Sequence, residues 1–150
     1  MRKTTEIAQG TGRSPSGRRT AQSVWLSIPA KPEYIGLCRL ALVGLSRELP
    51  DDVLGDLKLA VTEACTNSVR HAYEDGAGVV DILYELHADC VVIEVSDAGC
   101  GFRPGRVAAA DNETGRGLGL AIIDSLADEL EISERPGGGS RLRFVKILAA

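Results

Sequence analysis

Three polar side chains recur at four-residue spacing within one segment of this chain. Glu63, Asn67 and His71 stand in the run Glu-Ala-Cys-Thr-Asn-Ser-Val-Arg-His. In an α-helix, residues four apart lie on the same face, so a carboxylate, an amide and an imidazole would be presented together. Pointing polar groups the same way in an otherwise apolar segment is costly unless they meet a ligand or solvent. The row therefore predicts either a binding site or the solvated side of an amphipathic helix.

The chemistry that this row offers is phosphate and metal chemistry. The neutral oxygen of Asn67 suits Mg²⁺, which keeps several waters and takes its other ligands from phosphates. Glu63, one turn away, is a candidate general base for a nucleophile that attacks a terminal phosphate. Arg70 and His71 are candidate contacts to phosphate or sugar. A histidine that packs or caps at a helix end is an equally good interpretation of His71.

A second candidate site is the segment Asp97-Ala98-Gly99-Cys100-Gly101, which follows a strongly apolar run. Gly99 and Gly101 would let a flat ligand approach the backbone closely. The Asp97 carboxylate can accept a hydrogen bond from an exocyclic amine such as that of adenine, and it would discriminate against a base with a carbonyl there. An ordinary Asp-Gly turn is the alternative interpretation.

A third candidate site is the glycine-rich segment from Gly115 to Gly119, which leads directly into a predicted helix. Backbone N–H groups and the positive end of the helix dipole at such a start can bind phosphate. The spacing is not that of a dinucleotide fingerprint, which would need glycine at Leu120 or Ile122, and no Gly-Lys-Ser/Thr of a Walker A loop follows. A flexible loop with a tight helix start is the alternative.

Apolar periodicity predicts the elements that position these segments. In chain order they are a strand at 24–28, a helix from Pro32 closed by Pro50, a helix capped by Asp51 or Asp52 and ending near Tyr73, an antiparallel hairpin at 79–86 and 90–96, a loop at 97–117, a helix at 118–126 and a hairpin at 129–134 and 140–148. The loop is long for a structureless connection and predicts a functional lid. Strands and helices do not alternate strictly, so we expect an α/β two-layer sandwich whose mixed, mostly antiparallel sheet carries helices on one face.

Length and charge limit the classes of protein that this chain can represent. At 150 residues it suits one domain, and no apolar run approaches the ~18 residues of a membrane span. Residues 1–20 carry five basic side chains and one acidic one, so with a total of −4 the remainder carries about −8. We predict a flexible basic tail over residues 1–22 and one domain over residues 23–150. The acidic body argues against direct binding of nucleic acid.

The four cysteines are Cys38, Cys65, Cys90 and Cys100, and they form no C-x-x-C pair. Zinc is therefore not expected. Without a secretory signal, the default expectation is a cytoplasmic protein with reduced thiols in its core. Cys100, which stands between two glycines, is expected to be more exposed.

Taken in order, the three segments resemble the boxes of a known ATPase fold. Glu63-x-x-x-Asn67, Asp97-x-Gly99-x-Gly101 and Gly115-x-Gly117-x-Gly119 resemble the N, G1 and G2 boxes of the Bergerat-type ATP-binding fold shared by gyrase, Hsp90, histidine kinases and MutL. The run from Glu63 to Tyr73 closely resembles that of the small bacterial anti-sigma factor kinases of the RsbW and SpoIIAB type. The resemblance spans residues 24–148.

This resemblance implies a function and a set of roles. ATP and Mg²⁺ would bind between the helices and the sheet, a sigma factor would be sequestered, and a serine on a STAS-type anti-anti-sigma partner would be phosphorylated, with a homodimer also implied. Glu63 would be the catalytic base, Asn67 the Mg²⁺ ligand and Asp97 the adenine reader. The other implied site residues are Gly99 and Gly101 at the base, Gly115, Arg116, Gly117, Leu118 and Gly119 at the phosphates, Ser140 near adenine, and Arg39 at the partner.

Some features depart from the pattern or have competing interpretations. The segment 102–114 lacks the Thr-Thr-Lys-like stretch of some relatives, which leaves Arg103, Arg106 and Arg116 as candidate cations. Ser140 also suits a hairpin start, and Arg39 also suits a solvated surface. The main rival function is a nucleotide-dependent binding module without phosphoryl transfer. A plain dinucleotide-binding domain is disfavoured by the glycine spacing.

Overall fold

The computed structural model describes residues 20–45, 47, 49–71, 78–98, 116–136 and 138–148. The elements are β1 (Thr20–Pro29), a turn of 3₁₀-helix (Pro32–Tyr34), α1 (Ile35–Leu45), α2 (Asp51–His71), β2 (Val79–His87), β3 (Cys90–Asp97), α3 (Arg116–Leu126), β4 (Glu129–Glu134) and β5 (Ser140–Ile147). The predicted order of strands and helices is therefore confirmed.

The strands form one five-stranded sheet in the order β1-β2-β3-β5-β4. Each of the four pairings between the described strands is antiparallel. The expected two-layer α/β architecture with a mostly antiparallel sheet is confirmed, and the described strands contain no parallel pairing. The hairpin of β4 and β5 pairs through β5 with β3, so the turn before Ser140 meets the end of β3.

One face of the sheet is buried under the helices. Val80, Ile82, Tyr84 and Leu86 alternate along β2 and are buried, as a strand with one covered face requires. They join a single core with apolar residues of β3, the helices and Phe144. Because Val80 pairs with Asp97, the carboxylate at the end of β3 lies on this helix-facing side.

The helix starts differ from the prediction in detail. The expected first helix begins with a 3₁₀ turn that carries Pro32 at its start, and the α-helix proper begins at Ile35. The second helix begins at Asp51, and the Leu54 amide donates to the Pro50 carbonyl at 2.9 Å. Asp51 and Asp52 therefore lie in the first turn, where their charges favour the positive end of the helix dipole, and are not the capping residue.

The predicted basic tail overlaps the first strand of the sheet. β1 begins at Thr20, so residues 20–22 belong to the sheet and not to the basic tail. Residues 1–19, the end of the second helix near Tyr73 and most of the predicted lid lie outside the described residues. Among the residues that are described, no helix is both long enough and apolar enough to cross a membrane.

Candidate functional site

The polar row of the sequence lies on α2. Glu63 and Asn67 are one turn apart and half-buried, whereas Ala64 and Cys65 between them are buried in the core. This is the arrangement that four-residue spacing predicts, with the polar pair on one face of the helix and the apolar residues in the core. The helical backbone extends to His71, the last residue of α2, and Arg70 before it is exposed.

The start of α3 packs directly over this polar pair through Gly119. A β-carbon at this buried glycine would lie 3.0 Å from Glu63 Oε1, and 3.6 and 3.7 Å from the Oδ1 and Nδ2 atoms of Asn67. Gly119 therefore brings the backbone of α3 against both side chains, where any larger residue would intrude. Two of the three predicted segments meet here, one from each helix.

The amide of Asn67 is poorly satisfied in this arrangement. Its Nδ2 atom is buried and has no hydrogen-bond partner among the residues that the structure describes. A buried polar group without a partner costs about 1 to 3 kcal/mol. Such an orphaned group beside a carboxylate and a glycine backbone is the property expected of a side chain that binds a ligand.

Asp97 lies at the sheet end of the candidate site. Asp97 is 1% exposed, so its carboxylate is enclosed by protein. Asp97 and Ser140 are cross-strand partners in the pairing of β3 with β5, and the Ser140 hydroxyl donates to Asp97 Oδ2 at 2.9 Å. A buried acceptor fixed in this way has a defined orientation, which is what recognition of a single amine requires.

Gly139, which was not among the predicted site residues, makes this contact possible. Its φ is +99°, a conformation that favours glycine. A β-carbon there would overlap the Asp97 carbonyl oxygen and lie 2.7 Å from the α-carbon of Ala98. The turn between β4 and β5 therefore packs directly against the backbone at the end of β3. The glycine run before Ser140 was the available sequence signal.

Arg39 connects α1 to the helix that carries the polar pair. Its exposed side chain donates from Nη1 to Thr62 Oγ1 at 3.0 Å, and the Thr62 hydroxyl donates to the Lys58 carbonyl at 2.7 Å. Thr62 immediately precedes Glu63. Thr62 was not among the predicted site residues, and it carries no recognisable sequence signal.

The remaining predicted site residues are only partly described. Gly99, Gly101 and Gly115 lie outside the described residues, as do Arg103 and Arg106. The backbone of Arg116, Gly117 and Leu118 forms the first turn of α3, and the backbone of His71 ends α2. Within the described part, the structure brings Glu63, Asn67 and Gly119 together in one group and Asp97 and Ser140 in another.

Comparison with known proteins agrees with this architecture. The model of the histidine kinase-like ATPase domain matches residues 28–146, which include Glu63, Asn67, Asp97, Gly119 and Ser140. The chain belongs to this family of ATPase domains.

Individual relatives that resemble this chain over most of its length are serine-protein kinases. The chain is 34% identical to the serine-protein kinase RsbW of Bacillus subtilis (strain 168) over 135 residues, which are 80% of this chain and 83% of that protein. It is 35% identical over 130 residues to RsbW of Bacillus licheniformis, with 77% of this chain and 80% of that protein covered. The expected similarity to RsbW-type kinases is therefore confirmed.

Solved structures share the fold. The histidine kinase domain of the blue-light activated histidine kinase EL346 of Erythrobacter litoralis superposes with a TM-score of 0.55 at 25% identity, covering 81% of this chain and 62% of that one. A chain of the SiaB–SiaC complex of Pseudomonas aeruginosa gives 0.61 at 17% identity, with 94% and 98% covered. The second likeness is one of fold alone.

Proposed function

We propose that this protein is an ATP-dependent protein serine kinase that also acts as an anti-sigma factor. It would sequester a sigma factor and phosphorylate a serine on a STAS-type anti-anti-sigma partner. The observation that carries the proposal is the meeting of Glu63, Asn67 and Gly119 between two helices of an ATPase domain. The relatives named serine-protein kinases support serine as the acceptor.

The described residues fit the nucleotide and its metal. The side-chain oxygen of Asn67 would supply a ligand to Mg²⁺, and its buried, unsatisfied nitrogen would be available to donate to phosphate. The absence of a β-carbon at Gly119 keeps the phosphate side of the site open to backbone contacts. Asp97, oriented by Ser140, accepts from the adenine amine. When bound, Mg²⁺ neutralises charge on the phosphates.

Glu63 has the catalytic role in this proposal. Its carboxylate accepts the proton of the attacking serine hydroxyl, whose oxygen then forms the bond to the terminal phosphorus while the bond to ADP breaks. General-base catalysis of this kind contributes typically 10²- to 10⁴-fold to rate. Gly119 limits where the carboxylate can lie and so positions it.

The partner surface is the exposed face of α1. Arg39 lies there with Leu37, Leu40 and Val43, which are all exposed, Leu40 by 63%. An apolar patch with an arginine is the composition typical of a protein interface. The Arg39–Thr62 hydrogen bond joins this surface to the residue before Glu63. Arg39 is therefore assigned as a contact to the sigma factor. A homodimer is also part of the proposal.

The decisive experiment combines a transfer assay with a capture assay. The purified protein is incubated with Mg²⁺, ATP labelled in the γ-phosphate and the STAS-type protein of its own organism, while the matching sigma factor is captured in parallel. We expect phosphoserine on the STAS-type protein. We expect Glu63→Gln to lower transfer at least 100-fold with ATP still bound. The control Glu129→Gln, at an exposed position on β4, should leave transfer unchanged.

Other outcomes discriminate between the functions. ATP-dependent capture of the sigma factor without any transfer would favour the rival, a nucleotide-controlled binding module. Failure to bind ATP would reject both. For the partner surface, Leu40→Ala and Arg39→Ala should weaken capture of the sigma factor, whereas Ile132→Ala, an exposed apolar position on the opposite edge strand, should not.

A further inference from the structure

Two buried thiols meet between α1 and α2. The Sγ atoms of Cys38 and Cys65 are 3.2 Å apart, with the Cys65 thiol donating to Cys38. Both are reduced and both residues are 0% exposed. A disulfide bond is about 2.05 Å long, so the two sulfurs need to approach by roughly 1 Å to form one. From the sequence, both cysteines were expected only to be reduced thiols in the core.

The surroundings give the two thiols different acidities. The hydrogen bond from Cys65 lowers the pKa of the Cys38 thiol, against an opposing effect of burial, and the Arg39 charge lowers it further. Donating that same hydrogen bond, together with burial, raises the pKa of Cys65 well above its usual value. The Tyr84 hydroxyl donates to the Cys38 carbonyl at 2.8 Å and holds this part of α1 against the sheet. Cys38 is therefore the more acidic of the two thiols and the better candidate for the sulfur that reacts first.

We propose that Cys38 and Cys65 form an oxidation site at which hydrogen peroxide produces a disulfide that joins α1 to α2. In the first step the Cys38 sulfur attacks the peroxide, an S–O bond forms, the O–O bond breaks, and the hydroxide leaves as water with the proton from Cys38. In the second step the Cys65 sulfur attacks the sulfur of the resulting sulfenic acid, the S–S bond forms, the S–O bond breaks, and the hydroxide leaves as water with the proton from Cys65. Two thiols and one hydrogen peroxide give one disulfide and two waters.

Burial and proximity together determine how this site reacts. Because neither sulfur is exposed, bulky thiol reagents are excluded, and a small oxidant reaches the pair only slowly. Once Cys38 is oxidised, the neighbouring Cys65 is held at close range, so the second step is effectively intramolecular and fast. The product should be a specific disulfide and not a mixture of oxidised thiols.

The disulfide would join the two helices that carry the proposed functions. Cys38 precedes Arg39 on α1, and Cys65 lies between Glu63 and Asn67 on α2. The bond would close a loop spanning 27 positions and would prevent α1 from separating from α2. Closing such a loop raises the midpoint of thermal unfolding, here by roughly 5 to 10 °C.

The test is covalent and needs neither nucleotide nor partner, so its result is separate from that of the kinase assay. The folded full-length chain is treated with hydrogen peroxide, remaining thiols are alkylated in denaturant, and non-reduced peptides are analysed by mass spectrometry. We expect a Cys38–Cys65 cross-linked peptide, at least tenfold more abundant than any other pairing. In urea the same treatment should give a mixture of pairings.

Variants test the assignment. Cys38→Ala and Cys65→Ala should each abolish the cross-link and the rise in unfolding midpoint, whereas Cys90→Ala, in a separate buried cluster with Val92 and Val145, should retain both. Sulfinic or sulfonic acid at Cys38 without the cross-link would overturn the proposal. So would a folded protein whose disulfides are as mixed as those formed in urea, or one that remains fully reduced.

Discussion

The α-carbon of Gly119 faces the carboxylate of Glu63 so closely that an added methyl group would lie 3.0 Å from Oε1. Gly119 lies in the first turn of α3, where this helix packs on α2. Glu63, on α2, is the proposed base. The contact shows that a residue of the third sequence segment determines the space available to a residue of the first. The position of the carboxylate is therefore sensitive to a single methyl group.

We predict that Gly119→Ala impairs phosphoryl transfer more than it affects folding. Glu63 Oε1 ends a flexible side chain, so it can move away from the methyl group and the free energy of unfolding should change by less than about 1 kcal/mol. Moving a catalytic group by about 1 Å can cost on the order of 100-fold in rate. Measured together, the unfolding midpoint and the transfer rate separate these effects.

The matched control for that variant is Gly55→Ala. Gly55 is also in α2, but nothing lies within 4 Å of a β-carbon added there. Replacing it should stabilise the fold by roughly 0.5 to 1 kcal/mol, because alanine favours helix, and leave transfer unchanged. An unimpaired transfer rate in Gly119→Ala would remove the proposed constraint on Glu63.

Asp97→Asn tests the orientation imposed by Ser140. The Ser140 hydroxyl can still donate to the amide oxygen of the new side chain, which then directs the NH₂ group toward the adenine amine. Two donors would face each other, and we expect ATP affinity to fall by about 1 to 3 kcal/mol while the fold is retained. Titration of ATP and of GTP by calorimetry measures the loss and the change in discrimination.

Ser140 provides the comparison for that experiment. Ser140→Ala should lower ATP affinity, because Asp97 would then be less well oriented. Ser125→Ala removes an exposed hydroxyl bonded to the Ile122 carbonyl and should leave ATP affinity unchanged. Equal ATP affinity in the parent protein and in Asp97→Asn would reject Asp97 as the reader of adenine.

Gly138 and Gly139 form a natural pair for separating backbone strain from close contact. Both have positive φ, 113° and 99°, so alanine at either costs roughly 1 to 2 kcal/mol. Only at Gly139 would the β-carbon also overlap the Asp97 carbonyl, which is backbone and cannot turn aside. We expect Gly139→Ala to cost a further 1 to 3 kcal/mol or so. Chemical denaturation measures both, and equal losses would mean that the overlap is relieved elsewhere.

Glu94 on β3 makes stability depend on pH. Desolvation raises the pKa of its carboxyl above the usual 4.5, and the charges of Arg141 and Arg143 only partly oppose this, while Glu85 and Glu131 add to it. With a raised pKa the folded state binds more protons than the unfolded state. The contribution of Glu94 to the free energy of unfolding therefore falls as the pH rises through and above 4.5.

Glu94→Gln should therefore increase the free energy of unfolding at pH 7, and the gain should disappear as the pH falls to about 4.5 and below. Arg141, whose Nε lies 3.7 Å from Glu94 Oε2, is 45% exposed in its side chain, so losing this ion pair costs little. Urea denaturation of both proteins across this pH range measures the difference. Glu33→Gln, at an exposed position, is the control, and a gain that grew toward low pH would contradict the assignment.

Much of the fold was predictable because it depends on local patterns. Apolar residues recur with the period of the element that buries them, so the order of the five strands and three α-helices in the described part of the chain followed from periodicity and turn residues. The shared face of Glu63 and Asn67 also followed, since four-residue spacing in a helix fixes it. Helix starts were less accurate, because Pro50 and not Asp51 accepts the first hydrogen bond of α2.

Contacts between elements depended on packing and register, which local spacing does not encode. The pairing of Asp97 with Ser140 arises from the register of β3 and β5, and the approach of Gly119 to Glu63 arises from how α3 packs on α2. Cys38 and Cys65 are unremarkable core thiols in the sequence, yet the packing of α1 on α2 brings their sulfurs to 3.2 Å. Residue types and spacing thus specified which groups were available for chemistry, while the packing of helices and strands determined which of them meet.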